Sequence, residues 1–133
     1  MIWVSEEDLL DSEDLWLPTF CNNWYKKNNY MRGCEPLSMT LARYLTSGSS
    51  YVVQSEHHSI NLFKNKYFID MQVNVIFDRN FKKYIKLDSF RQRGFIRFYV
   101  EAGGIHPLFL DESKYDIVLV KPITTKKNLL NDR

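Results

Sequence analysis

Apolar residues keep a helical spacing in the first third of the chain and change to short, strand-like runs after residue 50. The clearest helical segment covers residues 35–45, where one face of a 3.6-residue period carries Leu37, Leu41, Tyr44 and Leu45. Pro36 is compatible with a helix only in its first turn, so this helix is expected to begin near Cys34.

Shorter elements are predicted on both sides of this helix. Ser5 precedes three acidic residues, a favourable helix start, and Pro18 ends that helix or begins a break. A second short helix is predicted at 20–27. The runs that read as strands are 51–53, 58–63, 66–73, 94–100 and 115–120, with a hairpin turn at Lys64-Asn65. Residues 78–87 are ambiguous, although Phe77, Phe81, Tyr84 and Ile85 suit a helix.

Helices followed by strands favour an α+β fold in which N-terminal helices pack on a mostly antiparallel sheet. At 133 residues the chain has the length of one domain, which we predict over residues 1–125, with a polar tail at 126–133. A hydrophobic content of 44% argues against a disordered chain.

The charge and hydropathy of the chain restrict its partners. A formal net charge of +2 is too small to indicate a nucleic-acid or membrane partner by itself. The sequence contains no apolar run near the roughly 20 residues that span a bilayer, and its first residues lack a signal-peptide pattern. We therefore expect a soluble protein that is cytoplasmic or is delivered into a target cell without an N-terminal signal peptide.

The two cysteines, Cys21 and Cys34, are too few for a disulfide scaffold, and nothing in their spacing requires a bridge. Cys21 stands among aromatic residues and is expected to be buried and inert. The spacing of both cysteines with His57 and His58 fits no common zinc pattern, so we expect no metal and no cofactor.

Cys34 stands where a thiol can become a nucleophile. The N–H groups and dipole at a helix start stabilise a thiolate and lower the thiol pKa from about 8.5. His58 begins the first strand of the predicted hairpin and Asp70 lies near the end of the second, so they are expected roughly opposite one another. A thiol, a histidine and an orienting carboxylate are the parts of a cysteine hydrolase.

Three segments in this order resemble a known family. Cys34 at a helix start, then His58-Ser59-Ile60-Asn61-Leu62 and Tyr67-Phe68-Ile69-Asp70-Met71-Gln72, are similar to the papain-fold toxins and glutamine deamidases of bacterial effector systems. The resemblance covers residues 28–73 and implies a papain-like fold. It implies Cys34 as nucleophile, His58 as general base and Asp70 as orienting acid. It also implies that Gln72 supports the site, and that Asn28 or Asn29 contributes to the oxyanion site.

The doubled histidine leaves His57 as an alternative base, with His106 as a third choice. We prefer His58 because Ile60 and Leu62 then share its strand face. The expected function is that of a cysteine protease or a protein glutamine deamidase, from a toxin or effector domain. The expected partners are a protein substrate and a cognate inhibitor or immunity protein.

Two other functions stay open. One is a non-enzymatic interaction module, such as an inhibitor or immunity protein, in which the cysteine and histidine are incidental. The other is nucleic-acid binding through the basic stretch 79–97, whose lysines and arginines alternate with phenylalanines. We favour phenylalanines in the core and charges in solvent, so a nucleic-acid partner is not expected.

Overall fold

The computed structural model describes residues 2–55, 58–96, 99 and 115–119. Over these residues the chain forms four α-helices, seven strands and a short 3₁₀ turn at Ser12–Asp14. The helices are α1 (Glu6–Leu9), α2 (Leu17–Lys27), α3 (Cys34–Tyr44) and α4 (Gln92–Ile96). The strands are β1 (Ile2–Trp3), β2 (Ser50–Ser55), β3 (Ser59–Phe63), β4 (Tyr67–Asp70), β5 (Val75–Asp78), β6 (Lys83–Lys86) and β7 (Tyr115–Leu119).

The strands form one open sheet in the order β1-β6-β5-β4-β3-β2-β7. Neighbouring strands are antiparallel, except that β1 and β6 run parallel. The three helices before residue 50 precede most of the sheet in the chain. The predicted α+β fold with a mostly antiparallel sheet is therefore confirmed.

Buried side chains pack on both faces of this sheet. One cluster joins the helices to the sheet and includes Trp24, Leu41, Phe63 and Ile69. The second cluster is rich in aromatic rings and includes Leu62, Phe68, Phe77, Phe95 and Tyr99. Because both faces are covered, all five residues of β3 are buried instead of alternating between core and solvent.

The hairpin of β3 and β4 forms where it was predicted. Lys64 and Asn65 have positive φ angles of 54° and 55°, and the Lys66 N–H donates to the Phe63 carbonyl at 3.0 Å. Two successive residues with positive φ give a turn whose twist matches that of the flanking strands.

The helix suggested by the spacing of aromatic residues at 77–85 does not form. Phe77 lies in β5 and pairs with Tyr84 of β6, while Phe81 lies in the turn between them with a φ of 56°. The hairpin brings these rings to one cluster, as a helix face also would. Spacing alone does not separate the two arrangements.

The strand predicted at 94–100 is wrong for its described first residues. Gly94 and Phe95 lie in α4, and the Phe95 ring packs 5.0 Å from that of Tyr84 and 5.7 Å from that of Tyr99. Burial in the aromatic cluster outweighs the strand preference of this run.

Pro18 is in the first turn of α2, where its missing N–H costs no hydrogen bond, so it neither ends nor breaks a helix. None of the helices in the described ranges is long and apolar enough to cross a membrane. The predicted tail at 126–133 lies outside the described residues, and the single domain over 1–125 stays a prediction.

Candidate active site

Cys34 is the first residue of α3, in agreement with the predicted helix start. Gly33 precedes it with a φ of 94°, a conformation that residues with a Cβ rarely adopt. A Cβ at position 33 would also lie 3.1 Å from Cγ of Pro36. The N–H groups of a first turn have no partner within the helix, so Cys34 lies at the positive end of the dipole.

Ser38, one turn after Cys34, joins α3 to β3. Its hydroxyl donates to the Glu35 carbonyl at 3.0 Å, so the Ser59 hydroxyl donates in the 2.8 Å bond between the two serines. Asn61 Nδ2 donates to the Ser38 carbonyl at 2.7 Å. In addition, the Ser59 backbone lowers the pKa of the Cys34 thiol, which places the two residues close together. The start of α3 is thereby held beside the start of β3.

His58 lies directly before β3 and is 3% exposed. Its Nε2 is 2.6 Å from Oδ2 of Asp70. A carboxylate only accepts, so Nε2 carries the proton, and the second ring nitrogen, Nδ1, is the one that can interact with Cys34. The pKa values of Cys34 and His58 each respond to the other residue, so the two side chains interact. The structure thus brings the three predicted catalytic residues together in the order Cys34, His58, Asp70.

The hairpin register makes His58 and Asp70 diagonal neighbours rather than directly opposite residues. Asn61 pairs with Ile69, and one more pair in the same register places Asp70 opposite Ile60. Diagonal neighbours in a sheet are still within reach of long or ring-bearing side chains. Ile60 is buried in the aromatic cluster, as expected for the strand face shared with His58.

Every oxygen of the buried Asp70 carboxylate accepts hydrogen bonds. The Gln72 N–H donates to Oδ1 at 2.9 Å, and the Val73 N–H donates to the same oxygen at 3.4 Å. The Tyr99 hydroxyl donates to Oδ2 at 2.6 Å, beside the bond from His58. A buried carboxylate with several donors is stabilised as an anion.

The three side chains shift one another's pKa values. Burial alone lowers the pKa of His58, but the charge and hydrogen bond of Asp70 outweigh it and raise this pKa to about 10. The hydrogen bond with His58 lowers the pKa of the Cys34 thiol, against the opposing effect of burial. These directions favour transfer of the Cys34 proton to His58, which gives a thiolate and an imidazolium.

Asp70 completes this arrangement as an anion. Burial raises its pKa, yet the positive charge and hydrogen bond of His58, with the bonds from Tyr99 and Gln72, hold that pKa below its ordinary value. By contrast, Cys21 is fully buried and burial raises its pKa, so it stays a thiol. Both cysteines are free. Of the two cysteines, Cys34 has the lowered pKa that favours reaction as a nucleophile.

The supporting residues occupy different positions. The backbone N–H of Gln72 donates to Asp70, so Gln72 lies beside the triad of Cys34, His58 and Asp70. The Gln72 carbonyl accepts from Nη1 of Arg91 at 3.5 Å. Asn28 ends α2, where its Nδ2 donates to the Trp24 carbonyl at 2.9 Å. Asn29 is exposed with a φ of 55°. Neither asparagine hydrogen-bonds to the triad within the described residues, and their oxyanion role stays a prediction.

The alternative bases His57 and His106 lie outside the described residues. Tyr99 is the contact of the triad that sequence reasoning missed, because a strand was expected around it and nothing local marks a tyrosine as a partner of Asp70. Ser38 and Asn61 were missed for a similar reason, since their partners lie on another element.

The described part of the basic stretch follows the favoured arrangement in part. Phe81 and Phe95 are buried in the aromatic cluster, which leaves their faces unavailable for stacking on bases, whereas Phe90 is partly buried against it. The charged residues Lys82 and Lys83 are exposed.

Comparison of this chain with protein-family models, with curated proteins and with solved structures finds no match.

Proposed function

We propose that this protein is a papain-like cysteine enzyme that acts on an amide bond of a protein substrate. The observation that carries the proposal is the buried His58 ring, which is bonded to Asp70 through Nε2 and interacts with the half-buried Cys34 thiol. Three residues from α3, the start of β3 and the end of β4 therefore meet at one site.

The first chemical step follows from the charges in this chain. The Cys34 thiolate attacks the carbonyl carbon, and the C–N bond breaks as His58 gives its proton to the leaving nitrogen. The products of this step are an amine or ammonia and a thioester on Cys34. Asp70 keeps the His58 ring in the orientation that this transfer needs.

Water completes the reaction. The neutral His58 accepts a proton from water, whose oxygen attacks the thioester carbon, and the C–S bond breaks to regenerate the Cys34 thiolate. In each step the developing oxyanion needs donors. The Cys34 N–H at the start of α3 is the first candidate, with Gln72, Asn28 and Asn29 as supporting candidates.

The resemblance to papain-fold toxins and effector glutamine deamidases guides the substrate class. Peptide hydrolysis releases a new N-terminus, whereas glutamine deamidation releases ammonia, and both pass through the same thioester. The choice depends on which carbonyl the site admits. For a toxin or effector domain delivered into a target cell, a cognate inhibitor or immunity protein is the second expected partner.

An acylation assay tests the proposal. The protein is mixed with an activated ester, and we expect a burst of released alcohol equal to the enzyme concentration, with one acyl group on Cys34 in the mass spectrum. Cys34→Ala and His58→Ala should abolish the burst. Cys21→Ala is the matched control and should keep it.

The same samples are then incubated with proteins rich in glutamine, and ammonia release is compared with the appearance of new N-termini. An ester hydrolysis that survives Cys34→Ala, or iodoacetamide labelling of Cys34 that is as slow as that of Cys21 at pH 6, would contradict the proposal.

A further inference from the structure

Tyr99 makes a second hydrogen bond to the oxygen of Asp70 that already binds His58. Its hydroxyl lies 2.6 Å from Oδ2, and Nε2 of His58 lies 2.6 Å from the same atom. Tyr99 is 8% exposed and Asp70 is 1% exposed, so water does not replace this donor readily. The Tyr99 ring packs edge-on to the His58 ring, with 6.4 Å between the ring centroids.

The position of the hydroxyl is fixed by the packing of its ring. The rings of Phe77, Phe95 and Phe81 lie 4.8, 5.7 and 6.3 Å from that of Tyr99. Aromatic rings packed in this range add stabilisation beyond their buried area. The aromatic cluster therefore directs a donor toward Asp70 from the face of the sheet opposite to α2 and α3.

We propose that Tyr99 is a positioning residue of the triad, which keeps the Asp70 carboxylate ionised and turned toward His58. The proposal rests on the function proposed above for Cys34 and His58. Through Tyr99, the aromatic cluster supports the site in addition to forming part of the core.

The other groups that face Asp70 cannot replace Tyr99. The Gln72 and Val73 N–H groups bind the other oxygen, Oδ1. His58 is the group that Asp70 has to orient, and the Cys34 thiolate is negative. Arg91 is bound to the Gln72 carbonyl and to the Tyr25 hydroxyl. Without Tyr99, Oδ2 keeps His58 as its one donor among the described residues.

Burial raises the pKa of Asp70. The charge and hydrogen bond of His58 lower this pKa, and the hydrogen bond from Tyr99 lowers it further. Burial and the Asp70 charge raise the pKa of Tyr99, so its hydroxyl keeps its proton and stays a donor. Both directions agree with a tyrosine that stabilises the carboxylate as an anion.

Tyr99→Phe tests the proposal, with Tyr67→Phe as the matched control. The Tyr67 hydroxyl also donates to a buried aspartate, Asp14, at 2.8 Å. Tyr67 is the first residue of β4, at the end of the strand opposite to Asp70. Both variants remove one buried hydroxyl bonded to a carboxylate, and Tyr67→Phe also removes the acceptor of the Asp11 N–H. The loss of thermal stability in Tyr67→Phe should therefore be at least as large as that in Tyr99→Phe.

Two measurements are made on each variant. Carboxyl carbon resonances of labelled aspartates give the titration midpoint of Asp70, which we expect to rise by roughly one pH unit in Tyr99→Phe, the size of one hydrogen bond to a charge. Alkylation of Cys34 at pH 6 should slow by roughly fivefold. Tyr67→Phe should change neither. Incorporation of 4-aminophenylalanine at position 99, a weaker donor on the same ring, should give intermediate values even if Tyr99→Phe fails to fold.

An unchanged Asp70 midpoint in the folded position-99 variants, or an equal shift in Tyr67→Phe, would overturn the role of Tyr99. The failure of the proposed function has a different signature. In that case the wild-type Cys34 reacts as an ordinary thiol, while the Asp70 titration still decides whether Tyr99 holds the carboxylate.

Discussion

Asp70→Asn removes the charge of the triad while it changes the shape of the side chain very little. The side-chain amide can still accept from the Gln72 N–H, but its NH2 group then faces the Nε2 proton of His58 and the Tyr99 hydroxyl, which are both donors. His58 can accept at Nε2 only if it gives up that proton. Since the Asp70 charge is what raises the pKa of His58 to about 10 against burial, the variant loses the imidazolium at neutral pH.

The size of the effect follows from the ionisation of the thiol. An ordinary thiol with a pKa of about 8.5 is ionised in roughly 0.3% of molecules at pH 6, whereas His58 lowers the pKa of the native Cys34 and so raises its thiolate fraction. A thiolate of higher pKa is intrinsically more nucleophilic, which recovers roughly tenfold. We therefore expect iodoacetamide to alkylate Cys34 more slowly at pH 6 in Asp70→Asn, by up to about 30-fold.

The assay follows alkylation by mass spectrometry between pH 5 and pH 9, with the buried Cys21 as an internal reference in the same molecule. Asp14→Asn is the matched control, because Asp14 is also a buried carboxylate and accepts from Tyr67 and from Lys64 at 2.8 and 2.5 Å. Its Cys34 rate should equal that of the native protein. Equal rates in native protein and Asp70→Asn at pH 6 would refute the charge argument.

Two further predictions concern stability. Gly33→Ala should lower the free energy of unfolding by about 1–3 kcal/mol in urea denaturation, because an alanine at a φ of 94° is strained and its Cβ would lie 3.1 Å from Pro36; an unchanged midpoint would contradict this reading of the helix start. In Cys34→Ala, which removes the opposing titration of the thiol, His58 should contribute stability in full below about pH 6.5, because Asp70 raises its pKa in the folded state. This contribution should decline as the pH rises through the folded pKa, which lies below the native value of about 10 because Cys34 also raises it. Thermal melts over this range should show the decline, and the double variant with Asp70→Asn should not.

The local elements of this site could be predicted because they depend on residues close in the chain. The apolar period of 35–45 and the first-turn requirement of Pro36 place Cys34 at the start of α3. The Lys64-Asn65 turn folds β3 onto β4 and brings His58 near Asp70. Turn preferences and side-chain periodicity act over a few residues, so the sequence is enough to infer this helix start and this hairpin.

Contacts between distant elements could not be predicted in this way. The spacing of Phe77, Phe81 and Tyr84 fits a helix as well as the hairpin that forms, and only the order of strands in the sheet decides between them. The same packing places Tyr99 on Asp70, which lies 29 residues away in the chain. The position of Cys34 beside His58 depends likewise on a contact between distant elements, the hydrogen bond between the Ser38 and Ser59 hydroxyls that joins α3 to β3.

The identities and the order of Cys34, His58 and Asp70 were thus determined by the sequence alone, since each belongs to a helix start or a hairpin that local preferences specify. The tertiary structure decided which nitrogen of His58 binds Asp70 and which hydrogen bonds hold α3 against β3. It also decided that Tyr99, from the aromatic cluster, donates to the Asp70 carboxylate. Those details depend on how two buried clusters pack on opposite faces of one sheet, and no short stretch of sequence encodes that packing by itself.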